Sequence, residues 1–105
     1  MILATTDLVP GRTITETIGL VRGSAVRGHH LGRDVMAKLK NLVGGELDEY
    51  TKLVAEAREQ ALDRMTEEAR ARGANAIVGV RFASSEVSDG AAEVLAYGTA
   101  VRLTG

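Results

Sequence analysis

Both histidines of this chain, His29 and His30, fall in one short stretch, GHHLGRD, with Asp34 four residues after His30. Imidazole nitrogens coordinate zinc, copper and nickel, and a nearby carboxylate can complete the donor set. His30 and Asp34 lie one helical turn apart, close enough to share a metal or to hydrogen-bond each other. Adjacent residues on a helix point about 100° apart, so His29 and His30 do not converge by themselves. A four-ligand site would need further donors, such as Glu46, Asp48 or residues of another subunit. The metal reading therefore names His29, His30 and Asp34, with a divalent ion such as zinc as the cofactor. The plainer reading makes Gly28-His29-His30 a loop entering a helix. A ring of subunits would favour the metal by bringing copies of the histidines together at its axis.

Arg33 and the Gly44-Gly45-Glu46 stretch with Tyr50 are the other candidates, as ligand or interface residues. Arg33 beside a helix N-terminus could bind an anion, where free N–H groups point outward. Alternatively Asp34 complements the helix dipole and Arg33 pairs with a carboxylate across an interface. Gly44, Gly45, Glu46 and Tyr50 either line a cleft between two helices or form a tight connection with Tyr50 in the core. GANAIVGVRF is not a phosphate loop, since it lacks the Lys-Ser/Thr ending and leads into a strand. Ser24, Ser84, Ser85 and Ser88 have no base in a nucleophile motif. No catalytic set can be named, and an enzyme is not expected.

Composition narrows the classes further. The chain has 105 residues, the length of one domain spanning residues 1–105. Its 13 basic and 14 acidic residues leave a formal charge of −1, which gives no support for nucleic-acid binding. There is no Cys, so disulfides and thiolate chemistry are excluded, and a cytoplasmic location is the default expectation. The start MILATTDLVPG lacks a basic region ahead of its apolar residues, so a secretory leader is not expected. No run approaches the ~18 apolar residues of a membrane span, and no membrane partner is expected. Although 45% of residues are hydrophobic, there is no Trp, and the aromatics are Tyr50, Phe82 and Tyr97. A short chain with so little bulk gains burial by associating with copies of itself.

Several elements must position these residues. Ile2–Thr6 reads as a short strand and Pro10-Gly11 as a turn. Thr13–Arg27 is rich in Thr, Ile and Val, as strands are, with Ile14, Ile18 and Leu20 on one face and Val21 and Ala25 on the other. Gly19 and Gly23 inside it signal a bulge or a close backbone approach. Leu31, Val35, Leu39, Leu42 and Val43 form a helical stripe closed by Gly44-Gly45. Glu46–Arg72 holds 27 residues without Gly or Pro. As one helix it is ~40 Å long, beyond a globule whose radius of gyration is ~13 Å, so it bends or reaches a neighbouring subunit. Its apolar stripe is Leu47, Tyr50, Val54, Ala57, Ala61, Met65 and Ala69, with acids at its start, Arg70 and Arg72 at its end, and Gly73 as the stop. Ala76–Ala83 is the strongest strand, with Ala76, Val78, Val80 and Phe82 on one face and Ile77, Gly79 and Arg81 on the other. Ser84–Gly90 reads as a polar loop, with Asp89-Gly90 as its turn pair. Ala92–Leu103 returns as a hairpin strand, with Leu95, Tyr97, Val101 and Leu103 facing one way and Val94, Ala96, Gly98 and Ala100 the other. The order predicts an α+β domain, a small antiparallel sheet packed against two helices, one of them long. Exposed sheet edges again favour pairing between subunits.

Laid out in this way, the chain resembles the YbjQ-like family of small bacterial proteins. The resemblance rests on Gly32-Arg33-Asp34, Val43-Gly44-Gly45-Glu46 with Tyr50, Ala57-Arg58, Gly73-Ala74-Asn75-Ala76-Ile77-Val78-Gly79-Val80, and Tyr97-Gly98-Thr99-Ala100-Val101. Each stretch is weak alone, and their order over nearly the whole chain is fairly specific. The resemblance implies subunits similar in outline to those of dodecin, which assemble as ring-shaped homo-oligomers, typically pentamers. It also implies the label "putative heavy-metal-binding". The family pattern carries the Arg-Asp pair and the Gly-Gly turn but does not call for histidine at positions 29 and 30, so a His-based site would be peculiar to this chain. The expectation is a cytoplasmic homo-oligomer, with itself as partner, that binds or scaffolds. Leu47–Ala69 and the strands around Ile77 and Leu95 would carry assembly. Metal binding, or a small ligand held between subunits by analogy with dodecin's flavins, are the alternatives. Few aromatics are available to stack on a flavin.

Overall fold

The computed structural model describes residues 1–27, 45–88 and 91–105. The elements are β1 (Ile2–Leu3), β2 (Thr13–Arg27), α1 (Gly45–Ala71), β3 (Ala76–Ser88) and β4 (Ala91–Thr104). They build one sheet of four strands in the order β1-β3-β4-β2, with α1 on one face. The expected helix over Leu31–Val43 and the turn pair Asp89-Gly90 lie outside the described residues. The molecule measures 52 × 23 × 15 Å, with a radius of gyration of 17.0 Å. The long helix is thus accommodated by an elongated domain.

The sheet is mixed rather than purely antiparallel. β3–β4 and β4–β2 pair antiparallel, but β1 runs parallel to β3, with Ile2 opposite Ala76 and Leu3 opposite Ile77. The intervening strand and helix supply the long crossover that parallel pairing needs. The contact continues past β1, since Ala4 N–H donates to Ile77 O, Val80 N–H to Ala4 O, and Gly79 N–H to Thr6 O at 2.9–3.0 Å. Val9-Pro10-Gly11-Arg12 then turns the chain, with Arg12 N–H bonding Val9 O and Gly11 at φ 79°, as a type II turn requires.

Helix α1 ends as its sequence predicts. Gly73 takes φ 87°, its N–H donates to Arg70 O, and Ala74 N–H reaches back to Ala69 O, a Schellman closure. Along α1, Ala57, Ala61, Met65 and Ala69 are buried against Val21, Ala25, Ile77, Val80, Val94, Ala96 and Ala100 of the sheet. The small residues let the helix backbone approach closely. At Gly23 the approach is so tight that a Cβ would run into the Ala61 carbonyl oxygen and the Met65 amide nitrogen. Gly98 likewise leaves room for the Ile77 side chain, 2.7 Å from where its Cβ would stand.

The opposite face carries a second, smaller cluster. Ala76, Val78, Val101 and Leu103 pack there under Ile2, Val9 and Ile14 of the N-terminal segment and early β2. Asn75 ties this end together, since its side-chain amide donates to Leu103 O at 2.9 Å and accepts from Leu103 N–H at 2.7 Å.

Three local expectations change. The face pattern expected for β3 inverts midway, because Gly79 and Val80 form a bulge between Val78 and Arg81 with Gly79 at φ 63°. Ala76 and Val78 therefore face away from α1, whereas Ile77 and Val80 face it, and Arg81 lies opposite Tyr97 on the outer face. Ser84–Ser88 is strand rather than loop, since the ladder to β4 continues through Ser84, Ser85, Glu86 and Ser88. Backbone pairing overrides the polar side chains that suggested a loop. In β2, register shifts after Ile14 and after Thr17 send Ile18 to the helix side, while Ile14 packs in the outer cluster and Leu20 pairs with Thr99.

Candidate functional site

Of the predicted site residues, His29, His30, Arg33, Asp34 and Gly44 lie outside the described residues. Gly45 opens α1 and Glu46 and Tyr50 follow in its first two turns; their side chains lie outside the described part. Among the described residues, no group of three or more His, Cys, Asp or Glu is placed to hold a metal ion. None of their helices is long and apolar enough to cross a membrane.

The described surface presents a different constellation. The registers place Arg22 of β2 and Arg81 of β3 on either side of Tyr97 of β4, all on the outer face. With strands about 4.8 Å apart, the two guanidinium-bearing positions stand roughly 10 Å apart across the phenol. Arg81 is held in place, its Nη1 donating to Thr5 O at 2.8 Å and to Val80 O at 2.9 Å. Arg22 has no partner among the described residues. Neither arginine makes an ion pair among the described residues, whose ion pairs are Arg70–Glu67 and Arg72–Glu68. Around this row the sheet leaves large apolar side chains in water. Leu20 is 61% exposed, Val26 42% and Tyr97 36%. Phe82, on the helix side of β3 where α1 barely reaches, is 46% exposed. Two guanidiniums flanking a phenol suit carboxylates or planar anions. The row contains no nucleophile paired with a base.

A second charged surface lies on α1. Glu56, Glu59 and Asp63, with Ala55 and Gln60, line a shallow groove on the side of the helix turned away from its sheet. These carboxylates make no ion pair among the described residues. The margin of β2, by contrast, is closed by helix arginines. Arg72 donates to Leu20 O at 2.7 Å and to Ile18 O at 3.1 Å, and Arg64 donates to Ser24 O at 2.5 Å.

The outer-face row escaped sequence reasoning because Arg22, Arg81 and Tyr97 are distant in the chain. Their meeting depends on the Gly79 bulge, without which Arg81 would share a face with Ile77. The available signal was Gly79 itself, a glycine inside a strand pattern.

These features define a small α+β domain with a mixed four-stranded sheet and one long helix among its described residues. The family model described as "Putative heavy-metal-binding" matches residues 1–104, and the chain belongs to this YbjQ-like family. It is 55% identical over 103 residues to a UPF0145 protein of Methanosarcina acetivorans, covering 98% of this chain and 97% of that one. It is 52% identical over 103 residues to a UPF0145 protein of Vibrio parahaemolyticus, covering 98% of each. A UPF0145 protein of Thermus thermophilus is 54% identical, with 98% and 90% covered. These relatives include archaeal as well as bacterial proteins, so the bacterial family expected from the sequence is too narrow. Their names state no catalytic activity. Among solved structures, a protein of unknown function from the DUF74 family of Pediococcus pentosaceus superposes with a TM-score of 0.67 at 16% identity. The match covers 99% of this chain and 98% of that one and shows the shared fold.

Proposed function

We propose that this chain is a homo-oligomeric binding or scaffolding protein of the cytoplasm, a ring of five copies in its expected form, with no reaction of its own. One observation carries the reading. Leu20, Val26, Phe82 and Tyr97 are 36–61% exposed, while the largest fully buried side chains among the described residues are Met65, Ile77, Val21 and Val101. A chain with so modest a core and so much apolar sheet surface gains burial when that surface meets another copy. Sedimentation velocity at micromolar concentration tests it. The expected result is a species several times the 11.1 kDa of one chain. A stable monomer over the whole range of concentrations overturns it.

Divalent-metal binding is the second reading, favoured by the description of the matching family and by the donors His29, His30 and Asp34. Neutral imidazoles and a carboxylate suit zinc or nickel. An assembly would supply the missing ligands from neighbouring copies. Titration calorimetry with zinc should show binding that the His29→Ala/His30→Ala variant loses. Stoichiometry near zero in the wild type refutes this reading and leaves the assembly untouched.

A further inference from the structure

The two charge patches, neither with an ion pair among the described residues, lie on opposite sides of one molecule. Helix α1 covers one face of the sheet, and its acidic groove, Glu56, Glu59 and Asp63, is turned away from that sheet. The Arg22–Tyr97–Arg81 row is on the other face. Within one chain, therefore, the patches cannot neutralise each other. We propose that they do so between copies: the acidic face of α1 of a second copy docks across the arginine–tyrosine row of the first. This deepens the assembly reading above and rests on it.

The dimensions fit. Glu56 and Asp63 are seven residues apart, about 10.5 Å along a helix. Arg22 and Arg81 are two strand spacings apart, roughly 10 Å. A helix lying across the strands thus sets Glu56 and Asp63 over the two arginines, with Glu59 between them near Tyr97. The half-buried Ala55 on the rim of the groove and the exposed Leu20 and Val26 flanking the row supply apolar contact around the charges. Opposite charge sets register and orientation here, and the apolar surround supplies most of the affinity. Because one surface of each copy meets a different surface of the next, the contact is heterologous. Such contacts close into rings when the rotation permits.

The test is the mass in solution of the full chain and its charge variants, at one protomer concentration and low salt, with circular dichroism confirming that each is folded. Arg22→Glu, at a residue with no partner among the described residues, should weaken self-association at least ten-fold. Glu56→Arg/Asp63→Arg should do the same. The combined Arg22→Glu/Arg81→Glu/Glu56→Arg/Asp63→Arg variant, with the two arginines and the two carboxylates set over them exchanged, should recover the wild-type mass. Wild-type mass in the folded Arg22→Glu variant, or failure of the folded combined variant to reassemble, overturns this interface while assembly itself stands. A monomeric wild type overturns both.

Discussion

Adding one methyl group at Gly23 should be among the most damaging substitutions in the sheet. Gly23 is not one of the positive-φ glycines, so alanine meets no backbone penalty there. The damage comes from space alone. The new Cβ would collide with Ala61 O and Met65 N and sit 2.8 Å from the Cβ of Arg64. These are backbone or Cβ atoms of a helix, so no rotamer change relieves the clash. Helix α1 must withdraw by on the order of 1 Å, and a gap of that size forfeits a quarter to a half of the dispersion energy across the interface. The cost falls on Ala57, Ala61, Met65 and Ala69 together, because they ride on one rigid element. Overpacking of this kind costs about 3 kcal/mol. For a domain of this size that lowers the melting midpoint by about 12–24 °C. Gly73→Ala is the control, since Gly73 has φ 87° but nothing within 4 Å of its Cβ position. It should lose only about 1 kcal/mol, for left-handed backbone, or about 4–8 °C. Both melts should be followed by circular dichroism at one protomer concentration, because association shifts the midpoint. A Gly23→Ala midpoint at or above that of Gly73→Ala would show that the helix does not sit against β2 as described.

Asn75→Ala removes both hydrogen bonds to Leu103 and leaves that residue's half-buried N–H and C=O without their partner. The expected loss is about 2–3 kcal/mol in urea unfolding, with no change in slope if the folded state keeps its compactness. An unchanged urea midpoint would deny Asn75 its tying role. Gly79→Ala forces a side chain onto φ 63°, where Asp7 Oδ1 at 3.7 Å leaves adequate room, so the penalty is conformational. It should cost about 1–2 kcal/mol, and a variant as stable as wild type would remove the case for a glycine bulge there.

What the sequence disclosed depended on how local the signal was. The long helix was legible almost to its ends, because its apolar period, leading acids and Gly73 stop all act within a few turns. The alternation of β4 was legible too, since that strand lies between two neighbours and sends alternate residues to α1 and to the outer face. β3 was misread where the governing event, a left-handed Gly79, moves everything beyond it to the other face. Only the partner strand reveals that shift. The Ser84–Ser88 extension was hidden for a related reason, as its strand character comes from pairing with β4 rather than from its own side chains. The parallel contact of β1 joins the first residues to Ala76 and Ile77, a separation no local pattern encodes. The candidate site divides the same way. The histidine stretch could be singled out from residue types alone, whereas the Arg22–Tyr97–Arg81 row required two registers to be known at once.

The arginines that cap β2 set a limit on how this sheet can grow. Ile18, Leu20 and Ser24 have given their carbonyls to Arg72 and Arg64, so an incoming strand finds that border occupied. The other border is covered by the N-terminal segment only as far as Arg81, and among the described residues no strand lies beside β3 from Phe82 onward. Endless strand-by-strand extension needs two free borders on every copy. The described residues offer one, so joining by their strand edges is saturated after two copies and does not propagate into a fibre. In bonding terms the sheet is monovalent: larger assemblies must be made through its faces.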